Sequence, residues 1–143
     1  MRIVVGVDDS PTAENALRTA LRYAAVLEAS VDAVHVTHVP VTVLAAMGGV
    51  PTIGEEFAAA QRHAVWERMA PALQGATVEV RRIDIEGYPP DALVEHAAEV
   101  GAELVVVGSR GRGDLASLLL GSTSHRVANH ARCDVLVVRY QEE

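Results

Sequence analysis

Short runs rich in β-branched residues recur along the chain: residues 2–8 (RIVVGVD), 31–38 (VDAVHVTH), 103–108 (ELVVVG) and 134–140 (DVLVVRY). The first lacks clean alternation of apolar and polar positions, which fits a strand buried on both faces, as in a parallel sheet. Residues 77–85 do alternate, which predicts an edge or half-exposed strand. Between these runs the apolar spacing changes to that of a helix. Ser10 and Pro11 supply an N-cap and a first helical position. Ala13, Ala16, Leu17, Ala20, Leu21, Ala24 and Leu27 then form one stripe. A second helix is predicted over 55–73, with Val65, Met69, Ala72 and Leu73 on one face and Pro71 placed to end it early. A third has Leu93, Val94, Ala97 and Ala98 facing inward and closes at Gly101. The fourth spans about 122–131.

Strands that alternate with helices in this way predict an α/β fold, a doubly wound parallel sheet of five strands. No repeat or linker interrupts the 143 residues, so residues 1–143 are expected to form a single domain. Residues 39–54, with Pro40, Gly48, Gly49 and Pro51, make a long connection of the kind that often carries function. In such sheets ligands bind beyond the carboxyl ends of the strands, where the winding direction changes. Function is therefore expected at Asp8, at the end of the second strand and at the loop after Gly108.

That loop carries the strongest chemical signal. Residues 105–124 read VVVGSRGRGDLASLLLGSTS, a strand emptying into a glycine-punctuated loop and then a helix. Gly108, Gly111 and Gly113 permit positive φ and close approach of backbone to a ligand. Ser122, Thr123 and Ser124 open a helix whose unpaired N–H groups and dipole favour a phosphate. Arg110 and Arg112 offer forked donors matched to phosphate oxygens. The plainer reading is an ordinary strand-to-helix turn that needs positive φ. Asp8 has the same two readings, a ligand contact opposite the glycine loop or a carboxylate that caps a helix.

Composition narrows the field. A formal charge of −7 argues against a nucleic-acid partner held by phosphate attraction. No apolar stretch approaches the roughly 20 residues needed to span a bilayer, and no signal-peptide pattern opens the chain. Cys133, the only cysteine, excludes an internal disulfide and fits an inert thiol in a reducing compartment, so a cytoplasmic protein is expected. His35 and His38 point to opposite faces of a strand, and His125 and His130 spread around a helix, so no metal cluster emerges. No serine sits in a G-x-S-x-G elbow, and the P-loop lysine is missing. Gly111, Gly113 and Ala116 fit the looser dinucleotide pattern, but after the fourth strand rather than the first.

The spacing Gly108, two residues, Gly111, nine residues, Gly121-Ser122 resembles the nucleotide-binding signature of the universal stress protein family. The opening IVVGVDDSPTAENAL, the segment AVHV and the close CDVLVVR are similar to the family's first strand and helix, second strand and last strand. This resemblance implies a strand order of 3-2-1-4-5 and a Rossmann-like fold that binds ATP or another adenine nucleotide. Its nucleotide-binding residues would be Asp8, Val36, Gly108, Ser109, Arg110, Gly111, Gly121, Ser122, Thr123 and Ser124. Asp8 would approach the ribose or the phosphate-metal region, with Mg²⁺ bridging the phosphates. The backbone of Val36, otherwise plain core, would hold the adenine edge. Asp9 departs from the family pattern and adds negative charge near the phosphates. The resemblance further implies a homodimer formed through the last strand. Together these point to a stress-response sensor or regulator with little or no hydrolysis. The alternatives are an interaction protein of the same fold that binds no nucleotide, or one specific for AMP or cyclic AMP.

Overall fold

The computed structural model describes residues 1–38, 45–46, 48, 51–110 and 120–139, with only the backbone for 51–53. Five strands form one sheet: β1 (Arg2–Gly6), β2 (Ser30–Thr37), β3 (Val80–Glu86), β4 (Leu104–Gly108) and β5 (Asp134–Val138). Every pairing is parallel, and the order across the sheet is β3-β2-β1-β4-β5. The expected topology is therefore present. Ile3 lies opposite both Val31 and Leu104, which puts β1 at the centre of the sheet.

Among the described residues four main helices cover the two faces: α1 (Pro11–Leu27), α2 (Pro51–Gln74), α3 (Pro89–Glu99) and α4 (Ser122–His130). The unbroken apolar runs of the central strands have two cores to fill. Ile3, Val5, Val31, Ala33 and Val106 pack with Leu17 and Ala20 of α1 and with Val65 and Met69 of α2. Val4, Val34, Val36, Val105 and Val107 pack on the opposite face with Leu93 of α3 and Val127 of α4. The helices after β1 and β2 thus lie on one face and those after β3 and β4 on the other. The winding direction reverses between β1 and β4.

Local chemistry explains most element boundaries. Ser10 has extended backbone, and its Oγ accepts from the Ala13 N–H at 3.1 Å, with Pro11 at the first helical position. α1 ends on Glu28 in the left-handed conformation (φ 55°). The predicted stripe is too long at this end, because Leu27, the last residue of α1 before the left-handed Glu28, is 47% exposed. In α3, Ala92 is buried and Ala98 is exposed, which shifts the inward face by one residue from the predicted set. α2 begins at Pro51, inside the expected connection, and continues through Pro71 to Gln74. Burial of Met69 and Ala72 holds this last turn, while exposed Pro71 sits on the solvent side, where the missing hydrogen bond costs less. β3 starts at Val80 rather than at 77 and is an edge strand, as its alternation predicts.

One buried charge is invisible to pattern reading. Asp32 on β2 has no solvent exposure and faces three side chains, Arg2 at 2.6 Å, Arg81 at 2.7 Å and His96 at 2.9 Å. Burial alone would raise its pKa. The Arg81 and His96 hydrogen bonds and the Arg2 charge outweigh burial and hold the carboxyl at about 2.

Candidate functional site

At the β1/β4 reversal, beyond the carboxyl ends of the strands, lies a cleft of about 110 Å³. Six of the predicted residues line it: Asp8, Val36, Gly108, Arg110, Thr123 and Ser124. Ser109, Gly121 and Ser122 are not among its walls, and Gly111 lies outside the described residues. The end of β4 with Arg110, the acidic turn and the start of α4 therefore converge, although β1 and β4 are far apart in the chain.

Each residue is fixed by its neighbours. Asp8 follows the end of β1, and its Oδ1 accepts a short hydrogen bond from Ser10 Oγ, the same hydroxyl that caps α1. Gly108 ends β4 without a positive φ, contrary to expectation. Its requirement is space, because a Cβ there would lie 2.5 Å from Thr12 Cγ2. Ser109 is buried and acts as a clip. Its N–H donates to the Val138 carbonyl at 2.7 Å, and its carbonyl accepts from the Gly121 N–H and, at 3.2 Å, from Ser124 Oγ. Gly121 is the N-cap of α4. The first backbone bond of that helix runs from the His125 N–H to the Gly121 carbonyl at 3.0 Å. The N–H groups of Ser122, Thr123 and Ser124 thus precede the ladder, as helix N-terminal donors do.

The opposite wall comes from β2 and α3. β2 outlasts β1, since Gly6 pairs with Val34 and the Val7 N–H donates to the Val34 carbonyl at 2.9 Å. By the two-residue repeat of a strand, Val36 turns its own N–H and C=O to the same side, past the end of β1. Val34, Pro89, Leu93 and Val107 add apolar surface. Sequence reasoning missed these four. Gly6 carried a readable signal, a glycine inside a β-branched run, and a Cβ there would lie 2.8 Å from Leu93 Cδ1.

Around the cleft the charges are paired. Asp9 meets Arg68 of α2 at 2.8 Å. On the α2 face of β2, buried His35 places Nδ1 3.5 Å from Asp84 Oδ1, too far for a good hydrogen bond, while Trp66 Nε1 donates to that oxygen at 3.0 Å. Burial pushes the His35 pKa down against the opposing pull of Asp84. Cys133 is half-buried, and burial together with Asp134 pushes its thiol pKa up, away from reactivity. No group of three or more His, Cys, Asp or Glu side chains suited to a metal occurs among the described residues. Likewise, no helix among them is long and apolar enough to cross a membrane.

Comparison with known proteins agrees with this architecture. The model of the universal stress protein family matches residues 1–139. Universal stress protein YxiE of Bacillus subtilis is 31% identical, over 96% of this chain and 98% of its own length. A crystal structure of a universal stress protein in complex with cAMP is 34% identical with a TM-score of 0.66, covering 97% of this chain and 96% of that one. Universal stress protein UspA from Lactobacillus plantarum shares the fold with a TM-score of 0.81 at 23% identity, over 97% of each chain.

Proposed function

Because the chain belongs to the universal stress protein family, we propose that it binds an adenine nucleotide, ATP in the first instance, and acts as a nucleotide-dependent sensor or regulator. The observation that carries this reading is the convergence of Asp8, Val36, Gly108, Arg110, Thr123 and Ser124 on one cleft. Its two walls differ in the way a nucleotide differs along its length. Val34, Val36, Leu93 and Pro89 give a flat base an apolar slot, with the backbone edge of Val36 to read it. Arg110 and the start of α4 give a phosphate its charge and its N–H donors. The cAMP complex of a 34% identical relative supports the same ligand class.

The donor set also fits a magnesium nucleotide. Mg²⁺ is usually held by one or two carboxylates plus the phosphates of its ligand, and Asp8 is the carboxylate on the cleft wall. When bound, the ion would offset phosphate charge beside Asp8. The hydrogen bond from Ser10 Oγ fixes the direction in which that carboxylate faces. We expect little or no turnover, since Asp8 is the only evident candidate on the described walls to orient a water. Two copies are expected to associate through β5, which lies at the sheet edge; sedimentation at micromolar concentration tests this.

The decisive experiment is a melting series with Mg-ATP, AMP and cyclic AMP on protein freed of carried-over nucleotide. A ligand at about 100 times its Kd adds roughly 2.7 kcal/mol, a rise of about 3–8 °C for a domain of this size. No shift with any of the three would favour the interaction protein instead.

A further inference from the structure

The acidic turn at the mouth of the cleft contains two adjacent carboxylates, and only Asp8 lines the cleft. Asp9 is partly buried beside it, one Cα–Cα step of about 3.8 Å away. Left uncompensated, this second charge would repel every phosphate that Arg110 and α4 attract. The compensation comes from a distant part of the chain. Arg68, on the third quarter of α2, sends Nε to Asp9 Oδ1 at 2.8 Å. The pair is shielded, with 36% of the Arg68 side chain and 25% of that of Asp9 exposed, so it is not a loose surface contact. Arg68 also feels the charges of Asp8 and Glu14, which with Asp9 hold its guanidinium firmly protonated.

We infer that Arg68 is a positioning and charge-compensating residue for the nucleotide site, acting through Asp9 to set how many phosphates the cleft accepts. This rests on the adenine-nucleotide reading given above. Arg68 is not among the residues that line the cleft, so its influence on a ligand is electrostatic and grows with ligand charge. A base or a nucleoside hardly senses it. A triphosphate senses it most.

The test is calorimetric titration of adenosine, AMP, ADP and ATP, at one fixed ionic strength, into wild type, Arg68→Gln, Arg68→Lys, Asp9→Asn and the Asp9→Asn/Arg68→Gln pair. Arg68→Gln is expected to weaken ATP about ten-fold and adenosine less than about two-fold, with AMP and ADP between, because charge–charge energy scales with ligand charge. Arg68→Lys should recover most of the loss. Asp9→Asn should tighten ATP relative to adenosine, and the double variant should return near wild type. Should Arg68→Gln fail to fold, the Asp9→Asn series carries the same prediction with opposite sign. Equal losses across all four ligands, or no recovery in the double variant, would overturn the assignment while leaving the nucleotide site intact. Wild-type protein that binds none of the four would overturn the nucleotide reading, and the role of Arg68 with it.

Discussion

The two ends of the sheet treat the same residue type in opposite ways. At the amino end, Asp32 is wholly buried and its carboxylate is consumed by Arg2, Arg81 and His96. At the carboxyl end, Asp8 is held by Ser10 yet lines an open cleft, and the charge of Asp9 is matched by Arg68. One end uses its charge to fix four elements together, β1, β2, β3 and α3. The other orients its charge on the wall of a cleft. In a parallel sheet this asymmetry is expected, because the strand ends that face the starts of the following helices offer donors and room for a ligand.

Substitution should separate the two ends most sharply at Asp32. Asp32→Ala leaves the cations clustered without their anion, and urea unfolding should show a loss of about 3 kcal/mol. The low end of the usual range applies because Arg2 and Arg81 reach solvent. Nucleotide affinity of the folded fraction should be unchanged. Next in size is the acid response. The Asp32 carboxyl sits at about 2 in the fold and near 3.9 when unfolded, so its contribution is complete above pH 4. It should be lost as pH falls from about 4 toward 2, and the loss amounts to about 2 kcal/mol. Comparing urea midpoints of wild type and Asp32→Asn at pH 6, 4 and 2.5 isolates it.

At the other end the signs reverse. Asp8→Ala should leave the melting temperature within a few degrees of wild type while weakening Mg-ATP about ten-fold, roughly 1.4 kcal/mol. A large stability loss without an affinity loss would break the contrast. The smallest effect returns to the amino end, where Glu28 pays for its left-handed backbone. Glu28→Gly should stabilise by about 1 kcal/mol, read as a higher melting temperature with ligand binding unaltered.

How much of this was readable without coordinates follows the same division. The fold was legible because unbroken runs such as LVVVG demand burial on both faces, and parallel sheets supply it. Part of the cleft wall was legible too, since Gly108, Thr123 and Ser124 lie close in sequence to the structure they create. At Gly108 the expected positive φ is absent, and the space taken by Thr12, a contact between distant residues, had no signal in the sequence. Partnerships across the chain left no trace. Asp32 meets Arg81 and His96, and Asp9 meets Arg68, only after distant elements pack, so no local spacing encodes them. Stripe lengths failed for a related reason. Leu27 and Ala98 keep the helical period yet are exposed, because the period alone does not say which helical residues meet a neighbouring element.

The order β3-β2-β1-β4-β5 leaves two unlike margins. β3 exposes Arg81, Arg82, Asp84 and Glu86, charges on both of its faces that discourage a further strand from docking. β5 reads DVLVV and carries no charge after its first residue. Two copies joined along β5 would present β3 at both outer margins, so growth by strand pairing would stop at the pair. Such a pair would be a terminated assembly unit, its charged outer margins keeping the twins from becoming a fibre.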